Sequence, residues 1–280
     1  MSAPAPSAEK KRPLVPGTTA RDARADFTGP PADPFLAFCL RMGDNALILA
    51  QRTGEWCGRA PVLEEDIAFA NMGLDLIGQT QLWFELFAKT EGKGRTQDEI
   101  AFLREEREYL NSLLVEQPNA DFAHALMRQY LFDAWHLPMQ EGLEQSANED
   151  VAAIAAKTVK EVRYHIDRSR DLVIRLGDGS EKSKAKMQAA LDWLWPFTAD
   201  LVASDALDDA LAAEGIIPDP EQTRARFEAE TEASLTEAGL VIPEGPLRRV
   251  GGRNGLHSEA MGYILSEMQS LPRAHPGASW

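Results

Sequence analysis

From Pro34 onward the apolar side chains recur with a helical period, and no alternating run of Val, Ile or Thr of strand length interrupts them. That feature confines the chain to an all-α fold. A helix patterned this way hides one apolar stripe and needs other helices to hide it against, so a bundle is expected. With 44% hydrophobic residues in a chain of 280, there is material for a sizeable core. Residues 1–33 have a different texture: Pro, Ala, Lys, Arg and Asp, with few large apolar groups to offset the entropy of ordering. They are read as a disordered tail, leaving residues 34–280 as one helical domain that includes a C-terminal helical extension.

Helix boundaries follow from local signals. Asp33-Pro34 supplies an N-cap and a first-turn proline for a helix ending near Gly54 to Gly58. The second long helix has Glu64, Glu65 and Asp66 in its first turn, favourable to the helix dipole, and stops at Gly92 and Gly94. A Thr96-x-x-Glu99 capping box opens a crossover helix expected to run to Pro118. The third long helix starts near Asp121 and carries Pro138, where a kink or a widened turn is expected. The fourth ends at Gly177-Asp178-Gly179, and its short connection to the third makes the two antiparallel neighbours. A fifth helix is expected over residues 181–213, a polar one near 221–238, and a last one in SEAMGYILSEMQSLPRAH.

Charge narrows the functional classes. Lys and Arg number 29 against 44 Asp and Glu, a net charge of −15 that repels phosphate backbones and anionic lipid surfaces. Cys39 and Cys57 make neither a disulfide framework nor a zinc motif. No apolar run is long enough to span a bilayer, and the N-terminus lacks the apolar core of a secretory signal. A cytoplasmic location, with neither nucleic-acid nor membrane partners, is the expectation.

Acidic residues stand where the period predicts apolar faces: Asp44 among Cys39, Leu40, Leu47 and Ile48, Asp75 in MGLDLIG, Asp133 in QYLFDAWHL, and Glu161 in KTVKEVRYHI. Buried carboxylates are unfavourable unless paired, neutralised or metal-bound. The chemistry that asks for such residues on four helices is a carboxylate-bridged di-iron or di-manganese centre, built from carboxylates and two Glu-x-x-His pairs. This sequence meets the pattern in part. Asp75 is followed at i+3 by Gly78, and Glu161 by Tyr164 with His165 one residue further. Asp133 has His136 at the proper spacing, on a helix that normally lends a carboxylate alone.

The segments GDNALILAQRTGEWCG, LEEDIAFANMGLDLIGQTQLW, VEQPNADFAHALMRQYLFDAWH, KEVRYHIDRSRDLVIRLGDG, ALDWLWPFTADL and GGRNGLHSEAMGYILSEMQSLPRAHPG closely resemble the non-catalytic C subunits of phenylacetyl-CoA ring-1,2-epoxidase complexes, across residues 34–277. The resemblance implies a ferritin-like four-helix bundle with additional C-terminal helices, serving as the structural subunit of a bacterial multicomponent monooxygenase of aerobic phenylacetate catabolism. It implies a homologous catalytic A subunit that holds the di-iron site and binds phenylacetyl-CoA, a small B subunit, and a reductase using NADPH, flavin and an iron–sulfur centre. No cofactor and no catalytic residue are then expected on this chain. Asp44, Asp75, Asp133 and Glu161 become remnants of a metal site, with Gly78 and Tyr164 marking lost histidines. The alternative is an independently active di-metal oxidase or oxygenase using those carboxylates, with His136 and His165 as ligands.

With no metal, the remnant carboxylates need hydrogen bonds, protonation or a cation from the protein. Lys157, at i−4 from Glu161, and Arg168, at i+7, fall near its face and are expected to supply it. Trp83, Trp135, Trp193, Trp195, Phe84 and Phe87 are read as packing residues. Arg163, Arg168, Arg170 and Arg175, interspersed with Asp167 and Asp171, are read as an ion-pair face. A structural subunit should also expose an apolar helix face for its partner.

Overall fold

Asp33 Oδ1 accepts hydrogen bonds from Phe35 N (2.8 Å) and Leu36 N (3.3 Å), starting α1 (Pro34–Gly54) at the cap read from the sequence. The computed structural model describes residues 30–245, 249–275 and 278, so residues 1–29 of the expected tail lie outside the described residues. Helix α2 (Leu63–Glu91) ends at Gly92, whose φ of 71° is the left-handed conformation that glycine adopts without strain. The capping box of Thr96 and Glu99 is formed in both directions and opens α3 (Gln97–Phe102). Asp121 and Asn148 cap α4 (Phe122–Leu143) and α5 (Glu149–Gly177).

The four long helices form a ferritin-like bundle, α1 packing chiefly on α2 and α4 chiefly on α5. Four side-chain pairs join α2 to α5: Glu65 with Arg168 at 2.6 Å, Asp75 with His165 at 3.0 Å, Gln79 with Glu161 at 3.1 Å and Lys89 with Asp150 at 2.6 Å. Numbers rise on one helix as they fall on the other, so the pair is antiparallel. Cys39, Ile48, Leu49, Leu76, Trp83 and Leu131 are among the side chains enclosed in the core. Among the described residues every regular element is a helix.

Two expectations about helix extent need correction. Helix α3 stops at Phe102, a 3₁₀ turn covers Glu106–Glu108, and residues 109–117 are buried in irregular conformation where a crossover helix was expected. Three of their N–H groups are satisfied from outside the segment: Leu110 N donates to Asp44 (2.8 Å), Ser112 N to Asn45 (2.9 Å) and Leu113 N to Asp200 (3.0 Å). The single helix expected over 181–213 is divided into α6 (Glu181–Leu194), a 3₁₀ turn Trp195–Thr198, α7 (Ala199–Val202) and α8 (Ala206–Ala213). Pro196 lacks the N–H that the helix needs, and Asp205 caps α8 while pairing with Arg41 at 2.6 Å, which stops the chain from continuing straight. Helix α4 runs unbroken through Pro138. Trp83, Trp135, Phe84 and Phe87 pack in the core as expected, whereas Trp193 is 55% exposed.

After α9 (Pro220–Glu237) the chain returns over the irregular segment and ends in α10 (Glu259–Met268) and α11 (Ser270–Ala274). This return is a clamp. The Asp200 carboxylate, already bonded to Leu113 N, also accepts from Gly251 N and Gly252 N, both at 2.9 Å. A Cβ on Gly252 would collide with Asn111 O, so only glycine lets the two chain segments come this close. Buried Glu116 accepts from Ser258 N (2.6 Å) and Asn111 Nδ2 (3.0 Å) and faces His257 Nδ1 at 2.8 Å. Burial alone would lower the pKa of His257, but the Glu116 carboxylate overrides it and holds the ring above its ordinary value. A basic group raised in the folded state stabilises fully below its unfolded pKa, and that contribution disappears as pH climbs through the folded one. His257→Gln should therefore lower the melting temperature at pH 6 more than at pH 9; equal losses at both would show an uncharged ring.

Candidate functional site

The acidic side chains read from the sequence fall into three environments. Asp44 on α1 is fully buried and accepts from Arg104 Nη1 (2.9 Å), Arg104 Nη2 and Leu110 N (2.8 Å). Both of its oxygens are used. Arg104, also fully buried, donates further to Ile100 O (2.7 Å) and Glu108 O (2.8 Å), and its guanidinium lies 4.1 Å from the centre of the Tyr109 ring. Burial works to lower the Arg104 pKa, and the Asp44 charge outweighs it and raises it.

Asp133 on α4 is fully buried, and among the described residues its hydrogen-bond partners are uncharged. Gln129 Nε2 donates to its Oδ1 (2.8 Å) and Ser169 Oγ to its Oδ2 (3.0 Å). Desolvation pushes the Asp133 pKa up to about 7, against the opposing pull of His165, Gln129 and Ser169. His136 stacks on Trp135, with ring centres 5.9 Å apart, and its Nε2 meets Gln140 Nε2 at 2.8 Å. Burial, and after it the nearby His165, pushes the His136 pKa down to about 3, so the ring is neutral at physiological pH.

Asp75 and Glu161 are half-buried at the seam between α2 and α5, where Asp75 Oδ2 meets His165 Nε2 (3.0 Å) and Gln79 Nε2 donates to Glu161 Oε2 (3.1 Å). Here the i+3 reading is off by one residue. A side chain on Gly78 would meet nothing within 4 Å, while Gln79 is 1% exposed; Tyr164 is 50% exposed, while His165 is enclosed. At about 100° per residue, i+4 lies some 40° from residue i and i+3 some 60°, and helix tilt at the seam selects the former. Gln79, Gln129, Ser169 and Arg104 are the functional-site residues that motif reading missed. A polar residue at i+4 from each carboxylate was the available signal for Gln79; Arg104 comes from outside the bundle helices and had none.

The compensation expected from Lys157 and Arg168 is not found. Lys157 is exposed, and Arg168 donates to Glu65 at 2.6 Å. The ion-pair reading of the α5 arginines holds: Arg163 meets Glu141, Arg170 meets Asp167 and Arg175 meets Asp171. The residues present do not fit a carboxylate-bridged metal pair. Asp44 and Asp133 have every oxygen engaged by internal donors, and the i+3 positions supply a glycine and an outward tyrosine. Among the described residues no group of three or more His, Cys, Asp or Glu side chains is placed to hold a metal ion.

A different surface surrounds the seam. Leu63, Ile67, Leu74 and Ile77 on α2 are 69%, 52%, 66% and 40% exposed, at spacings that put them on one outward stripe. Helix α2 thus has a second apolar face, with Tyr164 of α5 on the other side of the seam.

Fold and site together define a ferritin-like bundle whose central acids are engaged by its own side chains and whose outer face carries an apolar stripe. The chain belongs to the phenylacetic acid catabolic protein family, PaaA_PaaC, whose family model matches residues 22–280. It is 49% identical over 244 residues to the C subunit of the 1,2-phenylacetyl-CoA epoxidase of Escherichia coli (strain K12), an alignment covering 87% of this chain and 98% of that protein. Among the described residues no helix is long and apolar enough to cross a membrane.

Proposed function

We propose that this chain is the structural, non-catalytic subunit of a phenylacetyl-CoA epoxidase complex. On this reading it pairs with a homologous catalytic A subunit that holds the di-iron centre and binds phenylacetyl-CoA. A small B subunit and an NADPH-dependent flavin and iron–sulfur reductase complete the assembly in the cytoplasm. The likeness to the Escherichia coli protein supports the assignment to the complex. The observation that carries the silent role is the engagement of Asp44 by Arg104 and of Asp133 by Gln129 and Ser169, which leaves these carboxylates no free oxygen for a metal. The exposed stripe of Leu63, Ile67, Leu74 and Ile77 supports docking of the partner along α2 and the α2–α5 seam.

Reconstitution tests this reading. The isolated chain, purified from iron-supplemented cells, should hold less than about 0.1 iron or manganese per chain and turn over no acyl-CoA, while adding it to the A subunit with reductase should raise activity. Close to two metals per isolated chain, or turnover without the A subunit, would establish the independent di-metal enzyme.

A further inference from the structure

We infer that the partner subunit inserts a cationic side chain, a lysine ammonium or an arginine guanidinium, between Asp75 and Glu161 at the α2–α5 seam. The inference rests on the docking reading above and specifies its chemistry. Asp75 and Gln79 lie one turn apart on α2, and Glu161 and His165 one turn apart on α5, so the two cross-helix contacts form adjacent rungs. The donors meeting these two carboxylates are an amide and an imidazole, neither of them a permanent cation. Gln79 Oε1 and His165 Nδ1 are buried beside these contacts with no hydrogen-bond partner among the described residues.

Among the described residues, the cations flanking the seam are committed elsewhere or face solvent. Arg168 pairs with Glu65 and Arg163 with Glu141, while Lys157 and Lys160 are exposed. In the free chain water solvates the half-buried carboxylates, and the Asp75 side chain retains 36% of its exposure. A partner covering Leu74, Ile77 and Tyr164 strips that water away. Two carboxylates buried side by side without a counter-charge would oppose docking strongly, so an interface on this stripe calls for a cation at this point. Burial, opposed by the Gln79 amide, and then the neighbouring charge of Asp75 already hold the Glu161 pKa above its ordinary value.

The test is the affinity of the full chain for its A subunit, measured by titration calorimetry at fixed pH and salt. Asp75→Asn with Glu161→Gln should weaken binding at least about 30-fold, as removal of one side of a desolvated charge pair does. Unchanged or tighter binding would overturn the inference. Leu74→Asp and Ile67→Asp separate it from the docking reading: if these leave affinity intact, the face itself is wrong, and if they abolish binding while the double variant does not, the face is right and the cation is absent. Lys157→Met should bind like the parent, and a loss matching the double variant would assign the cation to this chain and sink the proposal. Carbodiimide labelling of the unaltered protein gives a check free of folding effects. Asp75 and Glu161 should react in the free chain and be protected in the complex; equal labelling in both would count against the inference.

Discussion

Arg104→Met should destabilise the chain by about 3–5 kcal/mol, enough to unfold many domains whose total stability is about 5–15 kcal/mol. The substitution leaves Asp44 buried with Leu110 N as its remaining donor, and an uncompensated buried carboxylate is among the costliest defects a core can hold. It also frees Ile100 O and Glu108 O and removes the guanidinium from the Tyr109 and Phe84 rings. Adding Asp44→Asn to Arg104→Met should recover part of the loss, because the amide keeps an acceptor for Leu110 N without a charge to solvate. Urea unfolding of the two variants decides it. A single variant within about 1 kcal/mol of the parent would show that the ion pair does not hold residues 103–117 in place.

The second large effect depends on pH and comes from Asp133. Its pKa, raised by burial to about 7 in the folded chain, stands above that of an unfolded aspartate, so the native state binds more protons between those values and stability falls as pH rises through them. From pH 4 to pH 7 that loss is on the order of 4 kcal/mol. Asp133→Asn removes the charge and keeps an oxygen acceptor for Gln129, while the Ser169 hydroxyl rotates to accept from the new amide. The variant should be more stable than the parent at pH 8, should match it near pH 4, and should show a flatter profile between. Melting temperatures across that range measure this, and parallel profiles would mean that Asp133 carries its charge at an ordinary pKa. His257 acts in the same direction, so the parent chain should be most stable on the acidic side of neutrality.

How legible the centre is in the sequence varies by residue. Asp44 and Asp133 stand out because the apolar period surrounding them leaves a carboxylate no exposed position, and both are fully buried. Asp75 and Glu161 follow the same rule less well, being half-buried at a seam between two helices. An apolar stripe tells which side of a helix faces the core, within a turn, and not where the seam with a neighbour falls. For the same reason the sequence pattern points inward at Gly78 and Tyr164, although Gln79 and His165 hold the inward positions. The usual geometry of a metal motif suggests i+3, whereas packing of α2 on α5 selects i+4.

Composition and period by themselves determined the all-α class, the four long helices and most of their caps, because those are decided within one or two turns by side chains next to the backbone they satisfy. Family likeness was likewise legible in local segments. Tertiary structure alone decided that residues 109–117 stay irregular, since the N–H groups of Leu110, Ser112 and Leu113 find acceptors in Asp44, Asn45 and Asp200, far away in the chain. It alone decided that Arg104, 60 residues away in the chain, is the counter-charge of Asp44, and that Glu161 meets the Gln79 amide where Lys157 or Arg168 was expected. Backbone hydrogen bonds inside a helix are short-range and repeat with the sequence, whereas a buried charge takes whichever counter-charge the folded chain brings within reach.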